Sequence, residues 1–244
     1  MAENTLPLDY YSLIEMFPRT GCAICNLLLR DADRFLDGLL YERVNEADTQ
    51  RYVRSRRGFC AEHAWQLLRY HGSALGAAIL YRAAAQETLS ILDGAQVSAV
   101  HLSGLGRILG GKAQPDASAL IDALAPQAPC VVCELQSQAE RRYLLTLGEY
   151  LTDARLGDAF EHSEGLCLPH TRMALRVIHD MAAVETLLRV QAQKWRALSA
   201  DLQTFIDRND YRRMNEPMGA ERDSVPRAIR SLSGYKGVFG LDPR

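Results

Sequence analysis

The sequence lacks the features that mark membrane-spanning proteins, secreted proteins and the commoner enzyme families. It contains no run of 18 or more uncharged apolar residues, so no transmembrane helix is expected. The N-terminal segment MAENTLPLDYYSLIEMF has acidic residues where a secretory signal would be basic, and the expected location is therefore the cytoplasm. Paired carboxylates at helical spacing near a histidine, a nucleophile elbow and a nucleotide fingerprint are also missing. No catalytic residue is predicted, and an enzyme is the less favoured class.

Charge and composition narrow the class further. The formal net charge of −2 gives no global reason to expect nucleic acid or an anionic membrane as a partner. Hydrophobic residues make up 48% of the chain and charged residues 24%, which is ordinary for a globular protein and argues against disorder. Runs of alternating β-branched residues are missing, whereas apolar residues recur at helical spacing. The predicted fold class is therefore all-α.

The cysteines are the most informative residues present. There are six of them, at Cys22, Cys25, Cys60, Cys130, Cys133 and Cys167. In a reducing compartment such spacing is more typical of metal binding or redox chemistry than of a disulfide framework. Each Cys-x-x-Cys motif is followed by a Cys-x-x-His motif, after 34 residues in the first half (26–59) and 33 in the second (134–166).

The repeated motifs predict a tandem duplication of a helical unit. The two Cys-x-x-Cys motifs start 108 residues apart and the two Cys-x-x-His motifs 107 apart, so all eight candidate ligands recur with one residue of slippage. In each unit, a long helix and a shorter returning helix would form a hairpin with a metal at its base. The predicted first site is Cys22, Cys25, Cys60 and His63, and the predicted second site is Cys130, Cys133, Cys167 and His170.

Three thiolates and one imidazole form a closed set of four ligands, which is a standard arrangement for structural zinc. A cysteine at a helix N-terminus has a lowered pKa, which favours the thiolate that binds metal. Two Zn²⁺ ions are therefore predicted. Two 4Fe–4S clusters are the alternative, because histidine can replace a cysteine ligand, although the tight cysteine spacing of bacterial ferredoxins is absent.

Composition divides the chain into four predicted segments. They are a first metal-binding repeat at 1–100, a linker containing glycine and proline at 101–127, a second repeat at 128–209, and a C-terminal clasp and tail at 210–244. The last segment has no equivalent in the first half. Its short helix is expected to begin at Ser224 and to end at Gly234.

The clearest helix of the chain precedes residue 209. Its apolar residues recur at alternating steps of four and three, at Val184, Leu188, Trp195, Leu198, Leu202 and Phe205. This pattern predicts a seam against a partner helix. Gln191 is the one polar residue within that seam.

Three further groups of residues are candidates for binding. His71 and His179 follow the ligand histidines by eight and nine residues, and they form either a second polar site or ordinary helix-junction contacts. A run of arginines, at Arg51, Arg54, Arg56 and Arg57, can contact phosphate or RNA, but a solvated face is the simpler interpretation. Tyr211 and Arg212 follow the long helix and form either a ligand or partner surface or a helix cap.

The whole pattern resembles an uncharacterised bacterial family, a domain of unknown function. Its members are all-helical and pair C-x-x-C with G-F-C-x-x-H, here Cys22, Cys25 and Gly58–His63. They share a D-Y-R-like stretch before a short C-terminal helix, here Asp210–Arg212. The second half departs slightly, with Leu166 in place of the aromatic residue. No activity is established for the family, so the resemblance implies the helical architecture and no particular function.

These observations favour a metal-binding helical protein that acts as a binding or scaffold module for a protein partner. One alternative is an electron carrier with two iron–sulfur clusters. Another is a nucleic-acid-binding protein that uses the arginines between residues 51 and 57. No insertion into a membrane is expected.

Overall fold

Helices account for most of the regular structure. A computed structural model describes residues 6–95, 98–100, 114–209 and 219–239. The first half contains α1 (Leu8–Met16), α2 (Ala23–Gly38) with a π-helical turn at Leu39–Arg43, α3 (Ala47–Ser55), α4 (Ala61–Leu67) and α5 (Ser73–Asp93). Two short strands, β1 (Ser98–Val100) and β2 (Gln114–Asp116), pair antiparallel. The second half contains α6 (Ser118–Leu124), α7 (Val131–Tyr150), α8 (Ala154–His162), α9 (Leu168–Val177), α10 (Met181–Arg208), a 3₁₀ turn at Ala220–Asp223 and α11 (Ser224–Ser233).

The predicted all-α class is confirmed, and the described part of the predicted linker contains two short elements. Residues 101–113 lie outside the described residues, but β2 and α6 occupy part of the remaining 114–127. The α6 sequence SALIDAL consists largely of good helix formers, and the Asp116 carboxylate accepts hydrogen bonds from the backbone N–H and hydroxyl of Ser118 at its start. Within the described residues, none of the helices has the length and apolarity that crossing a bilayer requires.

The same order of elements follows each Cys-x-x-Cys motif. A long helix begins at the motif (α2 or α7), and a helix of nine residues comes next (α3 or α8). Another helix then begins at the Cys-x-x-His motif (α4 or α9), and a long helix ends the series (α5 or α10). This parallel order is what a duplication would produce, and the duplication itself stays a prediction.

The chain divides into two compact units that do not follow the two halves of the sequence. Unit 1 consists of residues 1–33 and 135–244, and unit 2 consists of residues 34–134. Both divisions fall inside helices, α2 and α7. The physical reason lies in helix length: α2 has 16 residues, about 24 Å, whereas α3 has nine, about 14 Å. Helix α3 is therefore too short to carry the chain back to the start of α2, as the predicted hairpin required.

Unit 1 has an extensive apolar core. Leu13, Phe17, Leu144 and Phe160 are among its fully buried side chains, and the rings of Phe17 and Phe160 meet edge to face with centroids 5.5 Å apart. The Tyr10 hydroxyl donates to the Asp153 carboxylate at 2.6 Å. Asp153 also caps the N-terminus of α8. The packing of α1 is thereby linked to the start of α8.

Unit 2 has its own clusters of buried apolar side chains, one of which lies around α3 and α5. Leu39, Val53, Leu80 and Ala84 form its buried part, contributed by the π-helical turn, α3 and α5. Partly buried aromatic and aliphatic side chains surround it, among them Phe59, which precedes Cys60. Leu36, Leu67 and Val132 are further fully buried side chains of this unit.

The C-terminal segment packs within unit 1 and contacts residues from both ends of the sequence. Helix α11 begins at Ser224 and ends before Gly234, which confirms the predicted boundaries. The Tyr235 hydroxyl donates to the Thr20 carbonyl at 3.2 Å. The Phe239 ring lies 5.0 Å from the His170 ring, centroid to centroid. The segment thus joins chain from the first and second halves, as a clasp would.

The seam predicted for α10 is partly wrong. The buried residues of this helix are Ala183, Leu187, Val190, Gln191 and Leu198, whereas Leu188 is 48% exposed. A narrow stripe repeating every 3.5 residues serves a pair of helices, but α10 packs against a whole core and needs a broader stripe at 3.6 residues per turn. The buried face is therefore rotated relative to the predicted seam.

Gln191 is buried because it clamps the loop before α9. Its side-chain oxygen accepts a hydrogen bond from the Leu166 N–H, and its side-chain nitrogen donates to the Leu166 carbonyl, both at 2.7 Å. Gly165 lies beside it with a φ of +79°, and a Cβ there would stand 2.2 Å from the Gln191 oxygen. Only glycine meets both constraints.

Replacing Gln191 with leucine should destabilise the protein strongly, because the Leu166 N–H and carbonyl would lose their partners in a buried loop. We expect the free energy of unfolding to fall by about 2–4 kcal/mol. Urea denaturation followed by circular dichroism measures this loss. The matched control is Gln193→Leu on the exposed side of the same helix, which should change stability by less than about 0.5 kcal/mol. Equal losses in the two variants would contradict the clamp.

Candidate metal centres

The eight predicted ligands come together in two groups, but the grouping differs from the one predicted. One group contains Cys22, Cys25, Cys167 and His170, and the other contains Cys60, His63, Cys130 and Cys133. We call them the unit 1 centre and the unit 2 centre. Within each group the ligand atoms all lie within 4.8 Å of one another. The predicted pairing of motifs within each half is therefore wrong, because each Cys-x-x-Cys lies with the Cys-x-x-His of the other half.

All four motifs use the same local structure, in which the first cysteine stands immediately before a helix. The carbonyl of that cysteine accepts the first helical hydrogen bond, from Asn26 to Cys22, Ala64 to Cys60, Glu134 to Cys130 and Thr171 to Cys167. The second ligand follows one turn later, so both side chains project from the same side of the helix start. Each centre is thus built from two helix N-termini, whose dipoles favour ionised sulfur.

A glycine two residues before each Cys-x-x-His motif turns the chain into its helix. Gly58 has a φ of +98° and Gly165 a φ of +79°, both in the left-handed region that other residues rarely adopt. These two glycines therefore allow the sharp turn by which the chain enters each helix.

The unit 1 centre is closely packed. The His170 Nδ1 atom lies 3.4 Å from the sulfurs of Cys22 and Cys25 and 3.2 Å from that of Cys167. The sulfurs of Cys25 and Cys167 are 3.7 Å apart. All four residues are buried, with exposures of 4% or less.

The unit 2 centre has the same arrangement with more exposed sulfurs. The His63 Nδ1 atom lies 3.1 Å from the Cys60 sulfur, 3.6 Å from that of Cys130 and 3.4 Å from that of Cys133. The sulfurs of Cys60 and Cys133 are 3.6 Å apart. His63 is buried, but the three cysteines are only partly so.

The two histidines differ in what their second ring nitrogen meets. The Nε2 atom of His170 lies 3.0 Å from a carboxylate oxygen of Glu140, which is 2% exposed. A ligand histidine commonly uses such a carboxylate to fix its orientation. The Nε2 atom of His63 is buried without a hydrogen-bond partner.

Electrostatics within each centre favour a thiolate. In the unit 2 centre, hydrogen bonds with Cys133 and Cys60 hold the pKa of Cys130 well below its usual range. Burial alone would lower the pKa of His63, but hydrogen bonds to Cys130 and Cys60 raise it to about 9. In the unit 1 centre, burial opposes ionisation of Cys22, yet hydrogen bonds with Cys167 and Cys25 hold its pKa well below the usual range. In each centre one cysteine is therefore favoured as the thiolate, whereas hydrogen bonds with neighbouring sulfurs raise the pKa of Cys133 in unit 2 and of Cys25 in unit 1.

Two of the predicted surface arginines hold the chain that carries Cys130. Arg56 donates to the Pro129 carbonyl at 2.6 Å and pairs with Glu134 at 2.9 Å. Arg57 donates to the carbonyls of Arg54 and Ala123, each at 2.7 Å. These contacts tie α3 to the residues on both sides of the Cys130 motif.

The remaining predicted residues that the structure describes contribute to neither centre. Arg51 and Arg54 are exposed, and Arg51 pairs with Asp48 at 3.0 Å. His71 and His179 are both exposed and belong to different units, so neither is shown to form a second site. Tyr211 and Arg212 lie outside the described residues.

Sequence reasoning missed the supporting residues Glu140, Gln191 in its role as a clamp, and Arg56. A buried glutamate in the middle of a helix carries no local sequence signal. Gln191 did carry one, because it interrupts an apolar stripe. Arg56 stood out only as part of a charged run, and its partners are distant in sequence.

The donor set fits a metal ion. Three sulfurs and one imidazole nitrogen converge in each centre, and thiolate and imidazole are the ligands that soft and borderline transition metals prefer. The unpaired Nε2 of His63 and the carboxylate-bound Nε2 of His170 both leave Nδ1 as the atom that faces the sulfurs. Both groups can therefore hold a metal ion.

Replacing Arg56 with alanine should loosen unit 2, because a carbonyl and a half-buried carboxylate lose their partner. We expect the free energy of unfolding to fall by about 1–2 kcal/mol in urea denaturation. Arg54→Ala, on the same helix with an exposed side chain, is the control and should stay within about 0.5 kcal/mol of the parent. A loss in both variants alike would mean that the helix and not the link to Pro129 and Glu134 was affected.

Comparison with known proteins finds a relative and a family, and neither comes with a described activity. A relative described as "Uncharacterized 23.9 kDa protein in xynA 3'region", from Caldicellulosiruptor sp. (strain Rt8B.4), is 27% identical over 204 residues, which are 83% of this chain and 89% of the relative. No solved structure matches the chain. Residues 11–237 match the "Family of unknown function (DUF6062)", and the chain belongs to that family.

Proposed function

We propose that the protein is a zinc-stabilised helical module with one Zn²⁺ ion in each centre. The observation that carries the proposal is the spacing of the ligand atoms. Zinc takes sulfur at about 2.3 Å and nitrogen at about 2.0–2.1 Å in a tetrahedron. The edges of that tetrahedron are then about 3.8 Å between sulfurs and about 3.5 Å between sulfur and nitrogen. The sulfurs of Cys25 and Cys167 are 3.7 Å apart and those of Cys60 and Cys133 are 3.6 Å apart, and the six distances from sulfur to histidine Nδ1 are 3.1–3.6 Å.

The same spacing argues against iron–sulfur clusters. A 4Fe–4S cluster places a separate iron under each protein ligand, so its ligand atoms must stand roughly 6 Å apart. In both centres the ligand atoms lie within 4.8 Å of one another. The cluster alternative would require each group to expand, whereas a single ion fits the distances as they are.

A structural role suits four protein ligands better than a catalytic role. A catalytic zinc usually keeps one position for water or substrate, and here three cysteines and one histidine fill all four. Each ion would join two helix N-termini that are far apart in sequence. Cys25 and Cys167 are 142 residues apart, and Cys60 and Cys133 are 73 apart. Since these ligands are brought together only by folding, binding energy at the ion becomes folding energy.

Nucleic-acid binding through the arginine run receives less support. Arg56 donates to the Pro129 carbonyl and to Glu134, and the two terminal nitrogens of Arg57 donate to the carbonyls of Arg54 and Ala123, all within unit 2. Only Arg51 and Arg54 of the four are exposed. Two exposed arginines are an ordinary solvated surface, not a phosphate-binding stripe.

Binding to a protein partner stays a prediction. Trp65 and Leu68, on the helix that begins at the Cys60 motif, are 71% and 56% exposed, and a partner would find apolar side chains there. The cytoplasmic location also stays a proposal. It is supported by six unpaired cysteines, because thiolate ligands persist in a reducing compartment.

Elemental analysis of protein purified without oxygen should find two zinc ions per chain in a colourless preparation. Removing them with acid and chelator should lower the melting temperature by more than about 10 °C, because several kcal/mol of folding energy come from the metal. Adding Zn²⁺ back should restore the original melting temperature. Mg²⁺ is the matched control and should restore nothing, because it prefers oxygen ligands.

Less than one zinc per chain, or unchanged melting after complete demetallation, would contradict the proposal. A brown preparation rich in iron and sulfide would instead favour clusters.

A further inference from the structure

Each centre consists of three cysteines and one histidine, but the two sets of side chains differ in their exposure to solvent. All four ligands of the unit 1 centre are buried, whereas Cys60, Cys130 and Cys133 of the unit 2 centre are partly open to solvent. A thiolate reacts with an oxidant only when the oxidant can reach it, so reactivity follows exposure. The unit 2 sulfurs are the reachable ones.

The contacts that hold the ligands in place are also more numerous in the unit 1 centre than in the unit 2 centre. Glu140 holds the Nε2 of His170, and Gln191 holds the loop that leads to Cys167. The Phe239 ring lies against His170 from the C-terminal segment. His63 has no hydrogen-bond partner on Nε2. Counting back 108 residues from Glu140, the offset between the Cys-x-x-Cys motifs, leads to Ala32, which has no polar side-chain atom.

Supporting groups of this kind change how tightly a metal is held. Loss of one such hydrogen bond typically weakens metal affinity by about 10–100-fold. The unit 2 centre lacks the carboxylate and has the more open sulfurs. It should therefore release its ion faster than the unit 1 centre and should be oxidised first.

Building on the proposed zinc function, we propose that the unit 2 centre is an exchangeable, peroxide-sensitive metal site and that the unit 1 centre is permanent. The reactive pair is Cys60 and Cys133, whose sulfurs are 3.6 Å apart. The modifying reagent is hydrogen peroxide or another two-electron oxidant of thiolates.

The reaction balances with peroxide as the oxidant. One thiolate of the pair attacks an oxygen of hydrogen peroxide, the O–O bond breaks, and hydroxide leaves as a sulfenic acid forms. The second thiolate attacks that sulfur and displaces the sulfenic oxygen as hydroxide, which forms the disulfide. Two protons from solvent convert both hydroxides to water. Two electrons have passed from sulfur to peroxide, and Zn²⁺ leaves because two of its four ligands are gone.

The experiment uses the full chain after its zinc content has been measured. The protein is exposed to hydrogen peroxide in native buffer with a chromophoric zinc chelator, and samples are alkylated at intervals and mapped by mass spectrometry. We expect one ion per chain to be released at least about 10-fold faster than the other. The early product should carry a disulfide between Cys60 and Cys133, with Cys22, Cys25 and Cys167 unmodified. A thiol reductant and added Zn²⁺ should restore the second ion, because the disulfide keeps α4 joined to α7.

Each result has a distinct meaning. Release of both ions at one rate, or earlier oxidation of Cys22, Cys25 or Cys167, would overturn the inference while leaving structural zinc intact. Absence of zinc from the untreated protein would overturn the proposed function and the inference with it.

A variant tests the protection given by Glu140. In Glu140→Gln the slower ion should be released about 10–100-fold faster, while the faster ion should keep its rate and so report that unit 2 is intact. Glu149→Gln, on the exposed face of the same helix, is the matched control and should change neither rate. An unchanged slow phase in Glu140→Gln would overturn the positioning role assigned to Glu140.

Discussion

The convergence of two helix N-termini on one set of four ligands is the constraint on which the rest of the structure depends. Each motif begins where a helix begins, so its two ligands project together from the first turn. One motif alone offers two ligands, and a closed tetrahedral site needs four. The starts of α2 and α9 must therefore meet, and so must the starts of α4 and α7. That requirement decides which parts of the chain belong to each compact unit, because α2 and α7 each run from one unit into the other.

Much of this arrangement could be predicted from the sequence, and the error that was made has a physical cause. Helical class, the eight residues, the turns at Gly58 and Gly165 and the bounds of α11 all depend on local patterns, which a sequence displays directly. Which Cys-x-x-Cys meets which Cys-x-x-His depends instead on whether the chain returns to its starting point. The sequence spacing permits either pairing, and the choice between them depends on contacts between residues far apart in the sequence, such as Cys25 with Cys167. Glu140 could not be predicted for the same reason, because its role depends on a contact with His170, which lies 30 residues away in the sequence.

The ligand atoms of the two centres have similar spacing, but the residues around them differ. In unit 1 the ligands lie beside an extensive apolar core and beneath the C-terminal segment, and a buried carboxylate and a buried amide hold the histidine and the loop. In unit 2, Arg56 supplies a link from α3 to the Cys130 motif. Identical ligand sets therefore imply a shared way of joining helices, and their surroundings imply different rates of exchange.

The central claim is that each Cys-x-x-Cys motif forms a centre with the Cys-x-x-His motif of the other half of the sequence. The zinc content of two double variants tests this claim most directly. Cys22→Ser with Cys167→Ser removes two ligands from the unit 1 centre, whereas Cys22→Ser with Cys60→Ser removes one ligand from each centre. After dialysis under conditions in which the unaltered protein keeps both ions, the first variant should retain one zinc ion per chain and the second should retain none. The reverse result, with no ion in the first variant and one in the second, would show that each half of the sequence completes its own site and would contradict this account.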